Sequence, residues 1–99
     1  MNNEELRSFL ESALSERERE LAMFAIDQSN FEYSLEEIDR DYADDPDMSE
    51  FREDLVKNIQ MCKVQKTKCQ LIKNSLQRQL DALPPAEATP WHQKKNWQM

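Results

Sequence analysis

The chain has 99 residues, 33% of them charged, a net charge of −7 and no glycine at all. That length holds one domain, and the missing glycines exclude phosphate-cradling loops and the usual tight turns and helix C-caps. No apolar run approaches the roughly 20 residues of a membrane span, and the opening Met1-Asn2-Asn3-Glu4-Glu5 lacks the basic-then-apolar order of a secretory signal, so the cytoplasm is the expected compartment.

The first predicted element is a helix over residues 3–43. Asn2 or Asn3 can cap it, and Glu4 and Glu5 suit the positive end of its dipole. From Leu10 the positions Leu14, Arg17, Leu21, Phe24, Gln28, Phe31, Leu35, Ile38 and Tyr42 follow at alternating steps of four and three, and eight of the ten are apolar. A 3.5-residue repeat of this length marks a helix packed lengthwise on another. Weak helix formers at Asp27, Ser29, Asn30 and Ser34, with a capping box at Ser34-Leu35-Glu36-Glu37, could break the helix near Asn30. The seam keeps its phase across them, which favours one continuous helix.

Asp44-Asp45-Pro46 is the turn, because proline disfavours helix at Asp45 and is itself at home in a first turn. A second helix is predicted over residues 47–83, opened by an Asp47-Met48-Ser49-Glu50 capping signal and stopped by Pro84-Pro85. Met48, Leu55, Cys62, Cys69, Leu76 and Leu83 repeat every seven residues along it. The companion positions read as Phe51, Ile59, Ile72 and Leu80, with Gln65 and Lys66 thinning the middle. Residues 84–99 contain three prolines and no period, and form an irregular tail whose Trp91 and Trp97 are costly to leave in water.

Together these elements predict an all-α fold: a long antiparallel, coiled-coil-like helical hairpin with residue i of the first helix opposite 91 − i of the second. Residues 1–54 hold eighteen acids against five arginines, net −13, whereas residues 55–99 hold Asp81 and Glu87 against eight Lys and Arg, net +6. The two halves are therefore expected mainly to serve each other, with Glu32, Glu36 and Glu37 facing Lys57 and Lys63. Leu21-Ala22-Met23-Phe24-Ala25-Ile26 covers every face of a helix, more than one neighbour can bury. Dimerisation into a four-helix bundle is the expected remedy, with Leu14, Leu21, Met23, Phe24, Ile26 and Phe31 at the oligomer interface. Folding the tail back over the band, or docking a different protein in a groove there, are the other solutions.

Arg17 and Gln28 interrupt the apolar seam and read as a polar layer setting register; Glu20 is within helical reach of Arg17. Cys62 and Cys69 lie seven apart on one face, too far for a mutual disulfide, and read as small core residues. No Cys-x-x-Cys or histidine cluster suggests a metal, and no cofactor is expected. His92, the one histidine, sits in the tail without a pocket, so the chain is not read as an enzyme.

The function expected is a non-enzymatic protein–protein interaction module: an adaptor, regulator or inhibitor, homodimeric, with Asp44, Asp45, Asp47, Trp91 and Trp97 as candidate contacts to its target protein. The alternative is an acidic inhibitor that mimics nucleic acid and occupies a DNA- or RNA-binding protein. Direct nucleic-acid binding through Lys57, Lys63, Lys66, Lys68, Lys73 and Arg78, with Lys94 and Lys95 beside the tryptophans, ranks below both because an acidic helix is tethered alongside.

Overall fold

A computed structural model describes residues 1–85. They form two α-helices, α1 (Asn3–Asp41) and α2 (Ser49–Asp81), joined through a single 3-10 turn at Pro46–Met48. The helices lie side by side as an antiparallel hairpin. Its radius of gyration is 22.6 Å, where a compact globule of this length would have about 13 Å.

Local chemistry explains the ends of α1. The Asn2 side chain accepts from the Glu5 N–H at 2.8 Å while the Asn2 N–H donates to the Glu5 carboxylate at 3.2 Å, a reciprocal capping box. From there α1 runs unbroken for 39 residues, through Asn30, and the Ser34 capping signal is unused. Phe31 and Leu35 continue the seam at that point and are half-buried, so packing outweighs the weak propensities of their neighbours.

The reversal differs in detail from the sequence reading. Tyr42 ends α1 by donating to the Ile38 carbonyl, and Asp45, not Asp47, caps the short 3-10 turn by accepting from the Asp47 N–H at 2.9 Å. Pro46 sits at the first position of that turn, and α2 starts at Ser49. It stops at Asp81, two residues short of the expected Leu83, because Pro84 disfavours helical backbone just before it and the last bonds tighten (Leu83 N–H to Leu80 carbonyl, 3.1 Å).

The expected register holds. Glu18 pairs with Lys73, Asp39 with Arg52, and the Arg7 guanidinium donates to the Pro84 carbonyl; each pair of numbers adds to 91. Buried residues are Leu10 and Ile38 from α1 and Leu55, Ile59, Cys62, Cys69 and Leu80 from α2. Two readings of the second seam line need correction. Phe51 and Ile72 are exposed, and the line runs instead through Ile59, Lys66, Lys73 and Leu80, with both lysines half-buried. Nor do Glu32, Glu36 and Glu37 pair with Lys57 and Lys63; among the described residues the ion pairs that cross the seam are Asp39–Arg52 and Glu18–Lys73.

Candidate interaction surface

The seam is one side chain thick. Among the described residues no side chain reaches less than 2% exposure and no polar residue is buried, even though Leu55 comes down to 3%. The structure exposes 7334 Å², against roughly 5,900 Å² for a compact monomer of 11.8 kDa.

The seam's polar positions are satisfied within the chain. Gln28 accepts from Lys66 Nζ at 3.0 Å across the seam and donates to Glu32 at 3.1 Å along α1; the two partners together define which way its amide points. Arg17 Nη1 meets Glu20 Oε1 at 2.6 Å, the i,i+3 partner available from sequence. Behind that pair the Cys69 thiol donates to the Arg17 carbonyl at 3.1 Å and lies 3.8 Å from the Glu20 carboxylate.

Both cysteines are free and buried. Burial pushes each thiol's pKa up, and a neighbouring carboxylate (Asp27 beside Cys62, Glu20 beside Cys69) adds to it. Such thiols are poor nucleophiles. With Lys66 and Lys73 engaged in the seam, two of the cations proposed for nucleic-acid contact are turned inward.

The surface that the hairpin leaves uncovered is apolar and central. Met23 and Ile26 of α1 are 53% and 54% exposed, and Tyr33 comes next on the same side. α2 exposes Val56, Met61, Val64, Leu71 and Ile72, which by the register lie level with residues 35 to 19 of α1. Eight large side chains thus ring the middle third of the rod. Of the residues expected at an oligomer interface, Met23 and Ile26 belong to this ring, whereas Leu14, Leu21, Phe24 and Phe31 sit half-buried on the seam line. Sequence reasoning misses the α2 half of the ring, although the 3-4-3 spacing of Met61, Val64, Lys68 and Leu71 carries it.

The two broad sides of the rod differ. One carries both seam-crossing ion pairs and, of large apolar residues, Val56. The other carries Phe9, Met23, Phe51, Met61 and Ile72. Two shallow grooves at the turn fix the sides there: Ser34, Glu37 and Phe51 line one, Asp39, Ser49 and Arg52 the other, while Ile38, Tyr42 and Met48 belong to both. Helical spacing carries the assignment along the rod, from Glu37 to Met23 and Phe9, from Phe51 to Met61 and Ile72, and from Ser49 to Val56.

At the turn itself Asp44 and Asp47 are exposed and Asp45 is half-buried as the cap. Residues 32–54 hold eleven carboxylates against Arg40 and Arg52, a net charge of −9. Trp91, Trp97 and His92 lie outside the described residues. Among the described residues no group of three His, Cys, Asp or Glu could hold a metal ion, and no helix is long and apolar enough to cross a membrane. Comparison with known proteins finds no matching family model, curated protein or solved structure.

Proposed function

We propose that this chain is a non-enzymatic protein–protein interaction module that works as a self-associated hairpin, two copies forming a four-helix bundle. One observation carries the reading: the ring of eight half-exposed apolar side chains on both helices at the middle of the rod. Completing the burial of those that face the second copy contributes about 1 kcal/mol each, half the value for a fully exposed side chain. Summed over two copies, this exceeds the lower range of the association cost, about 4–15 kcal/mol. A standard interface removes about 800 Å² per partner, less than the surface this rod exposes beyond a compact monomer. The target protein is then met by surfaces the bundle leaves free, with the acidic turn at Asp44, Asp45 and Asp47 foremost and Trp91 and Trp97 as further candidates.

Light scattering at micromolar concentration tests the reading. The unaltered chain should have twice the mass of one chain, and Met23→Glu with Met61→Glu should halve it while helical circular dichroism persists. A monomeric unaltered chain contradicts it.

The concentration of charge at the turn favours a second reading, an acidic decoy for a nucleic-acid-binding protein. It requires target binding that collapses with added salt and is abolished by changing Asp44, Asp45 and Asp47 to lysine. Binding that survives the triple change excludes it.

A further inference from the structure

We infer that the two copies pack antiparallel, face to face, through the broad side bearing Phe9, Met23, Phe51, Met61 and Ile72, about a twofold axis level with Phe24 and Ala25. The inference rests on the self-association proposed above and adds its surface and direction.

The side is chosen by its contents. A face that already spends Arg52 and Lys73 on ion pairs would have to desolvate them to become an interface, at a cost seldom recovered. The opposite face presents five large apolar side chains over the length of the rod, all exposed, and a single ion pair, Arg17–Glu20, which lies within α1.

Direction follows from where those side chains stand. By the 91 − i register, Ile72 is level with residue 19, Met61 with 30 and Phe51 with 40 of α1. Phe9 and Phe51 are therefore centred between residues 24 and 25, as are Ile72 and Met61, and Met23 lies beside that centre. A twofold axis across the rod stacks each helix on its own copy. It sets Ile72 over the partner copy's Met61, brings the two Met23 side chains together, and puts Phe9 in the same layer as the other copy's Phe51. An isologous contact needs this kind of self-matching pattern.

The parallel alternative, with a twofold axis along the rod, stacks α1 on the other copy's α2 at equal level. Met23 then meets Lys68, and Glu37 meets Asp54, a carboxylate against a carboxylate. It also brings two turns of net charge −9 together. Antiparallel packing separates those turns by about 60 Å, forty residues of helical rise. It brings Glu16 and Glu20 level with Tyr33 and Ser29 of the other copy instead of another acid.

Pulsed EPR decides the direction. A spin label at Arg40→Cys, on the exposed outer edge of α1, should report about 45–50 Å between copies in the antiparallel dimer and roughly 30 Å or less in the parallel one. The unaltered chain, whose two thiols are buried, is the labelling control. The side is decided by Met61→Glu with Ile72→Glu, which should give a helical monomer, against Val56→Glu, which should leave the dimer intact. A dimer with the short distance, or one that survives the Met61 and Ile72 changes, overturns this inference and leaves self-association standing. A monomeric unaltered chain overturns both.

Discussion

Arg52 holds Asp39 across the seam through two hydrogen bonds, Nε to Oδ1 at 2.7 Å and Nη2 to Oδ2 at 3.1 Å, at the end of the rod next to the turn. The paired geometry defines where α2 starts relative to α1, which an isolated lysine could not do as sharply. It also lowers the pKa of Asp39, chiefly through that hydrogen bond.

A carboxylate with a lowered folded-state pKa stabilises the fold at pH values above its ordinary range and loses that contribution as pH falls through the folded value. Asp39→Asn should therefore lower the urea midpoint at neutral pH. The gap between variant and unaltered chain should close on acidification below the ordinary carboxylate range. Urea titrations at several pH values measure it, and a gap that widens toward acid would be the wrong sign.

Leu55 and Val56 are adjacent in sequence and opposite in environment, one 3% and the other 44% exposed. Leu55→Ala should cost about 2–4 kcal/mol, the range for emptying a packed site. Val56→Ala should stay within about 0.5 kcal/mol, as surface changes do. Chemical denaturation of the two variants side by side checks the register directly, since a one-position error would exchange the results.

The Gln28–Lys66 bond replaces an apolar layer at mid-seam. Changing both residues to leucine should raise stability by about 1–2 kcal/mol, because a half-buried polar pair rarely matches well-packed hydrocarbon. The same change should broaden the amide spectrum, since the layer's contribution is to register. A stabilised protein with an unchanged, sharp spectrum would remove the register role from this pair.

Cys62 and Cys69 should react with a thiol reagent only as fast as the hairpin opens, and at full speed in denaturant. Their raised pKa values mean that the folded chain keeps thiol protons which the unfolded chain releases. Stability is thus complete below the ordinary thiol range and declines as pH rises through it. Cys62→Ala with Cys69→Ala should flatten that alkaline decline, as followed by thermal unfolding.

Much of this architecture is legible before any coordinates. The heptad line Leu55, Cys62, Cys69 is buried as its spacing implies, and the continuous phase through Gln28 and Phe31 outweighs the weak helix formers around Asn30. Proline at 46 sets the register, because the shortest closure of two helices around it brings 39 opposite 52. The companion line of α2 is harder to read. Ile72 and Phe51 look like core by type, while Lys66 and Lys73 look like surface, yet helix geometry turns the lysines toward the seam, where their long stems pack and their charges reach Gln28 and Glu18. Hydrophobicity ranks residues but does not say on which side of a helix a stripe falls. For the same reason the band at Leu21–Ile26 shows where the rod is under-covered, while the α2 residues completing the ring become visible only once the two helices are in register.

Sedimentation equilibrium of the full chain across the micromolar range tests self-association most directly. One mass of twice 11.8 kDa, dissociating only on dilution and in the Met23→Glu, Met61→Glu variant, is the expected result. A mass of 11.8 kDa at every concentration, with Met23 and Ile26 left in water, would contradict it.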